Sequence, residues 1–181
     1  TMTAAQHGTT GANGELGNIV DGDGATEDTI NITDAITATG IATIENYVLS
    51  GNNDTFTLGA ADQNVDTGAG TNSIVTGAFD VITGTLGGAG TDTLVTDTGD
   101  DLTDGSLDIT AVETIEVVGS VTMNLADHES RDGANITAAG LDDTITINGV
   151  GTVTADADIQ DYVLDNGNNT FTFAADSQDV N

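Results

Sequence analysis

Short apolar segments recur along the chain about every 8–12 residues and are separated by Gly, Asn and Asp. Within them apolar and polar residues alternate. Because successive strand residues face opposite sides, Phe56 and Leu58 are predicted to point inward, and Thr55 and Thr57 outward. Good helix formers are scarce, so no helix is predicted. The predicted strands are Asp28–Ile32, Ile44–Leu49, Asp54–Leu58, Asn72–Val75, Asp92–Val95, Thr114–Val118, Asp143–Ile147 and Ile159–Leu164.

The chain also contains a long internal repeat. Residues 28–66 align without a gap with 143–181 at an offset of 115, and 18 of the 39 pairs are identical. Upstream, Met2–His7 resembles Met123–His128 at an offset of 121. We therefore expect a first unit over 1–122 and the first half of a second over 123–181, joined without a linker. One and a half units suggest a segment of a longer repetitive protein.

Strand-length apolar segments at this spacing predict an all-β fold, namely a right-handed parallel β-solenoid resembling a β-roll or β-helix. At about 20 residues per coil and 4.8 Å between strands, 181 residues would make roughly nine coils. Tandem β-sandwich repeats of about 115 residues are the alternative. The absence of Pro and of any linker between modules favours the solenoid.

Charge narrows the functional classes. The chain has 30 acidic residues against one basic residue, Arg131, and a formal net charge of −29. Such a chain cannot neutralise a phosphate backbone or dock on anionic lipid, so we expect no nucleic-acid partner. No apolar run approaches 18 residues, so no membrane insertion is expected. The absence of Cys excludes disulfides and thiolate chemistry.

One motif carries candidate metal chemistry. Gly87–Val95 fits the nonapeptide G-G-x-G-x-D-x-U-x in full, and Thr67–Val75 fits it with Thr67 for Gly and Asn72 for Asp. Glycines allow sharp turns, and Ca²⁺ prefers a shell of carboxylate and carbonyl oxygens. Several Ca²⁺ ions are therefore predicted between coils. The candidate ligands are Asp21, Asp23, Asp28, Asp54, Asp66, Asn72, Gly87, Gly88, Gly90, Asp92, Asp97 and Asp100.

Through these nonapeptides the chain resembles the RTX family of calcium-binding secreted repeat proteins. Ile44–Gly51 and Val112–Val117 also look like the linking strands of large RTX-type adhesins and surface-layer proteins. The resemblance implies a parallel β-solenoid, type I secretion and folding driven by extracellular Ca²⁺. A strong calcium roll stacks many consecutive nonapeptides, whereas this chain has about two.

The favoured function is structural: a Ca²⁺-stabilised segment of a secreted surface-layer, adhesin or filament protein that stacks end to end with copies of itself. A cell-surface polysaccharide is a second candidate partner. Thr-x-Thr motifs suggest an alternative function, an ice-binding or other ligand-binding face. These motifs lie at 37–39, 55–57, 91–93, 144–146, 152–154 and 170–172. A polysaccharide-active β-helix enzyme is disfavoured, since no nucleophile–base constellation is visible. His7 and His128 occupy equivalent positions, which indicates a structural role.

Overall fold

The chain folds as a parallel β-solenoid of about eight turns. The structure, a computed structural model, describes residues 27–131, 135–140, 142–175 and 178–181. All strand pairs in these ranges are parallel. The all-β parallel solenoid is therefore confirmed, and the β-sandwich alternative is excluded for this part of the chain.

Strands stack into four sheets along the solenoid. The first contains β1 (Thr29–Asn31), β3 (Asn46–Val48), β5 (Asn64–Asp66), β7 (Thr85–Gly87) and β10 (Asp108–Ala111). The second contains β2 (Thr37–Thr39), β4 (Thr55–Thr57), β6 (Thr71–Val75), β8 (Thr91–Val95), β11 (Thr114–Val117) and β13 (Ile136–Ala138). The third contains β9 (Asp100–Asp101), β12 (Ser120–Asn124), β14 (Thr144–Asn148), β16 (Asp161–Leu164) and β18 (Asp179–Val180). The fourth contains β15 (Thr152–Thr154) and β17 (Thr170–Thr172).

The core is built from in-register columns of apolar side chains. Phe56 and Leu58 are buried and the flanking Thr55 and Thr57 are only partly covered, which confirms their predicted directions. One column along the second sheet is Phe56, Ile74, Leu94, Ile115 and Ile136. Each such side chain contributes roughly 1.5–3 kcal/mol on burial. Every predicted strand segment contains a strand, but the bounds differ: most strands are shorter than predicted, β6 and β8 begin one residue earlier, and β14 is shifted by one residue.

The repeat is visible in the strands. At the offset of 115, β1, β3 and β5 recur as β14, β16 and β18, and β2 and β4 recur as β15 and β17. The first three belong to the first sheet, but their counterparts belong to the third. Between β1 and β14 the chain completes five coils and most of a sixth, so a unit is not a whole number of coils. Successive units therefore present the same strands on different faces.

A short helix, α1 (Leu125–Glu129), interrupts the strands, so the prediction of no helix is wrong here. It lies between β10 and β15: the Arg131 Nη2 atom donates to the Ile109 carbonyl, and the Glu129 carboxylate accepts from Thr154 N–H. The predicted unit boundary at 122/123 falls inside β12, directly before α1. In the described part of the chain, no helix is long and apolar enough to cross a bilayer.

Candidate functional site

Three of the predicted ligands form one structure, which we call the polar ladder: Asp54, Asn72 and Asp92. Each lies at the start of a second-sheet strand, and Asn72 and Asp92 are direct register partners in β6 and β8. All three are at most 3% exposed. Buried polar side chains need hydrogen-bond partners, so these residues must be satisfied inside the solenoid.

The ladder is satisfied by hydrogen bonds between successive coils. The Asp54 carboxylate accepts from Ile36 N–H at 2.7 Å, and the Asn72 carbonyl oxygen accepts from Asp54 N–H at 2.9 Å. Asn72 Nδ2 in turn donates to Asp92 Oδ1 at 2.8 Å. Glu113 Oε2 accepts from Asp92 N–H at 2.6 Å. Five successive coils are thereby joined through side chains as well as through sheet hydrogen bonds.

The side chain of Asp92, the aspartate of the full nonapeptide, accepts hydrogen bonds from more donor groups than the other two side chains of the polar ladder. Its Oδ2 atom accepts from the Thr67 hydroxyl and from Gly88 N–H, both at 2.8 Å. The neighbouring turn packs closely on the coil below, because a Cβ on Gly90 would lie 2.4 Å from the Gly70 carbonyl oxygen. Hence the glycines of the nonapeptide serve close coil stacking, and its carboxylate accepts three donors.

These donors do not fit a calcium shell at the polar ladder. Ca²⁺ requires oxygen atoms around it, whereas N–H and O–H groups surround the Asp92 carboxylate. The Gly70 carbonyl in the neighbouring turn accepts from Thr91 N–H at 2.8 Å. Within the described ranges, no three Asp, Glu or His side chains come together as a metal-binding group.

The repeat supports this hydrogen-bonding role. Asp54 corresponds to Asn169 in the second unit, and Ile36 corresponds to Gly151. The Asn169 carbonyl oxygen accepts from Gly151 N–H at 2.9 Å, as Asp54 does from Ile36. A neutral amide therefore does the same work at this position as a carboxylate. The position requires an acceptor oxygen and not a negative charge.

The other predicted ligands are dispersed. Asp100 is buried and its Oδ2 atom accepts from the Thr76 hydroxyl at 2.5 Å and from Asp97 N–H at 2.7 Å. Burial raises the pKa of Asp100 above its ordinary value. Asp66 is exposed and accepts from Gly68 N–H in its own turn, and Asp28 lies at the first coil. Asp21 and Asp23, like His7, lie outside the described residues. Calcium binding by these carboxylates stays a prediction.

Sequence reasoning missed the corner caps, which are Gln63, Arg131 and Gln178. Each donates to two carbonyls of a tight turn 22 and 19 residues earlier: Gln63 to Ile41 and Ile44, Arg131 to Ile109 and Val112, and Gln178 to Asp156 and Ile159. All three caps are buried. The repetition of Gln63 as Gln178 was the available signal. Nothing local indicated that Arg131 takes the same place.

Threonine and serine side chains stack in one long column, as the ice-binding alternative requires, whereas paired columns of hydroxyls extend over only two coils, as in β2 with β4 and in β15 with β17. Thr37, Thr55, Ser73, Thr93 and Thr114 are in register across five strands of the second sheet. The parallel column reads Thr39, Thr57, Val75, Val95 and Glu116, and so loses its hydroxyls after two coils. Ice binding stays a prediction.

Comparison with known proteins identifies no relative: no protein-family model, no curated protein and no solved structure matches this chain.

Proposed function

We propose that this chain is a structural segment of a repetitive protein secreted to, or displayed on, the cell surface. The observation that carries the proposal is the recurrence of five strands at one offset within a single continuous parallel stack. A unit of this kind adds coils without adding a new type of interface, as in other repeat architectures. The secreted location rests on the RTX resemblance.

The distribution of polar groups supports a structural role. In the described coils the buried acids, amides and the one arginine are engaged in joining one coil to the next. The calcium part of the proposal is confined to carboxylates outside the polar ladder, such as Asp66 and Asp97.

End-to-end association is part of the proposal, and its support is the burial of equivalent residues. Phe56 and Leu58 are at most 2% exposed beneath β6, whereas their counterparts are partly covered at Phe171 and 58% exposed at Phe173. Within the described residues β17 is paired only with β15, so these apolar side chains lie beside the edge at which a further coil, of the same chain or of another copy, would add. Such an edge pairs readily with another strand.

The test is an extended chain in which residues 67–181 are added directly after Asn181, which preserves the repeat register. We expect small-angle X-ray scattering to show one rod lengthened by about 27 Å, since the unit adds between five and six coils at about 4.8 Å each. The control adds the same residues starting nine positions later, out of register. An in-register chain that scatters as two separate bodies, or no longer than the original, would contradict the proposal.

A further inference from the structure

Both basic side chains of the described part of the chain lie buried around α1. His128, on the helix, has no exposed surface, and Arg131, just after it, is 8% exposed. Arg131 donates to backbone carbonyls on the β10 side, as a corner cap. His128 faces the opposite way, toward the turn and strand of the next coil. α1 and the turn that follows it are therefore held between two coils by the side chains of His128 and Arg131.

The surroundings of His128 fix its protonation. Its Nδ1 atom lies 3.0 Å from Glu129 Oε1, and its Nε2 atom lies 3.3 Å from Asp156 Oδ2 and 3.4 Å from the Tyr162 hydroxyl. Ionised carboxylates only accept hydrogen bonds, so both ring nitrogens must carry a proton for both contacts to be favourable. The site therefore favours the protonated, imidazolium form of His128 between two carboxylates.

The other groups around His128 do not change its preference for the protonated form. α1 packs against β12, β14 and β15, and these strands carry no ionisable side chain. Tyr162, from β16, already accepts from Asp156 N–H at 2.8 Å and stacks edge-on against the imidazole. In the first unit Ile41 stands where Asp156 stands here. The charged cluster therefore belongs to the junction between the units and not to the repeated core.

We propose that His128 is a pH-sensitive latch, which locks α1 to the next coil while the imidazole is protonated and releases it when the imidazole is neutral. In the neutral state one ring nitrogen presents a lone pair to a carboxylate oxygen in a site without water contact. That contact is repulsive, so the attachment of α1 to the next coil is weakened. Release loosens the junction between the units and leaves the strands of each unit paired.

The direction of the pH dependence follows from the contacts. Burial lowers the pKa of His128, but the hydrogen bonds and charges of Asp156 and Glu129 outweigh burial and raise the pKa above its ordinary value. A raised pKa in the folded state means that the latch contributes fully below about pH 6.5. The contribution is lost as the pH rises through the folded-state pKa.

The test combines an NMR titration of the imidazole signals with amide hydrogen exchange. A His7→Gln variant identifies the His128 signal. We expect His128 to titrate above its ordinary pKa. Amide exchange over 125–131, corrected for its intrinsic pH dependence, should rise about tenfold through that titration. Amides of β6 and β8 should not follow it.

Two carboxamide variants provide the matched comparison. Asp156→Asn removes one carboxylate from His128 and should lower its pKa, whereas Asp158→Asn changes an exposed carboxylate of the same turn and should leave it unchanged. The latch is refuted if His128 titrates at or below its ordinary pKa, if exchange over 125–131 is independent of that titration, or if both variants act equally. The wild-type titration decides even if Asp156→Asn fails to fold.

Discussion

Replacing Asp92 with alanine is expected to lower the free energy of unfolding by about 3–5 kcal/mol, since each buried donor left without an acceptor costs roughly 1–3 kcal/mol. The lost carboxylate serves Asn72 Nδ2, the Thr67 hydroxyl and Gly88 N–H, all at 2.8 Å. The site has no exposed surface through which water could replace it. Equilibrium unfolding in urea measures the loss.

Asp104→Ala is the matched control for this experiment. Asp104 is an exposed aspartate whose carboxylate accepts only from Ser106, two residues away in the same turn. Its removal should change stability little, although it removes the same charge from the same acidic chain. If both variants lose similar stability, the effect of Asp92 comes from net charge, and the hydrogen-bonded ladder is not what joins the coils.

Phe56→Ala is expected to cost about 3–5 kcal/mol, the usual range for deleting a fully buried aromatic side chain. Phe56 has no exposed surface and packs against Tyr47, with ring centroids 4.5 Å apart. The repeat supplies a matched variant at the same position of the unit, Phe171→Ala. Phe171 is only partly covered, so its replacement should cost clearly less.

Thermal and urea unfolding of the two phenylalanine variants decide this prediction. Both rings lie in a Thr-Phe-Thr strand next to an equivalent tyrosine, Tyr47 or Tyr162, so local sequence does not distinguish them. The difference arises from β6, which covers Phe56. Equal losses at the two positions would show that coil stacking does not bury Phe56.

The strands and the repeat were readable from the sequence because both are local or periodic signals. Alternation around Phe56 fixes which residues face inward, and the fixed offset places Tyr47 and Tyr162 in equivalent strands. For the length of each coil, the sequence predicted only an average number of residues. Register partners are 17 residues apart between Thr29 and Asn46 but 24 apart between Ser120 and Thr144, and no local pattern sets these lengths.

The sequence indicated which residues to consider at the candidate site, but not which groups they contact. Asp54, Asn72 and Asp92 were predicted as Ca²⁺ ligands between coils, and in the structure they join coils by hydrogen bonds. An aspartate before a strand looks the same in sequence whether it binds Ca²⁺ or accepts N–H groups. The partners that decide between the two lie about 20 residues away, on the next coil. The helix α1 was missed because one turn of Leu, Ala and Glu carries little periodic signal.

The central claim is that the acids of the polar ladder join coils as hydrogen-bond acceptors, and Asn72→Asp tests it most directly. This change gives 67–75 the aspartate of the nonapeptide, so that only Thr67 still departs from the motif; it also removes the donor to Asp92 Oδ1 and places a third carboxylate between Asp54 and Asp92. The measurement is urea unfolding of wild type and variant, each with calcium or with EDTA at matched ionic strength. The hydrogen-bonding account predicts that the variant loses roughly 2–4 kcal/mol under both conditions. A variant that is more stable than wild type in calcium, and loses that advantage in EDTA, would contradict it.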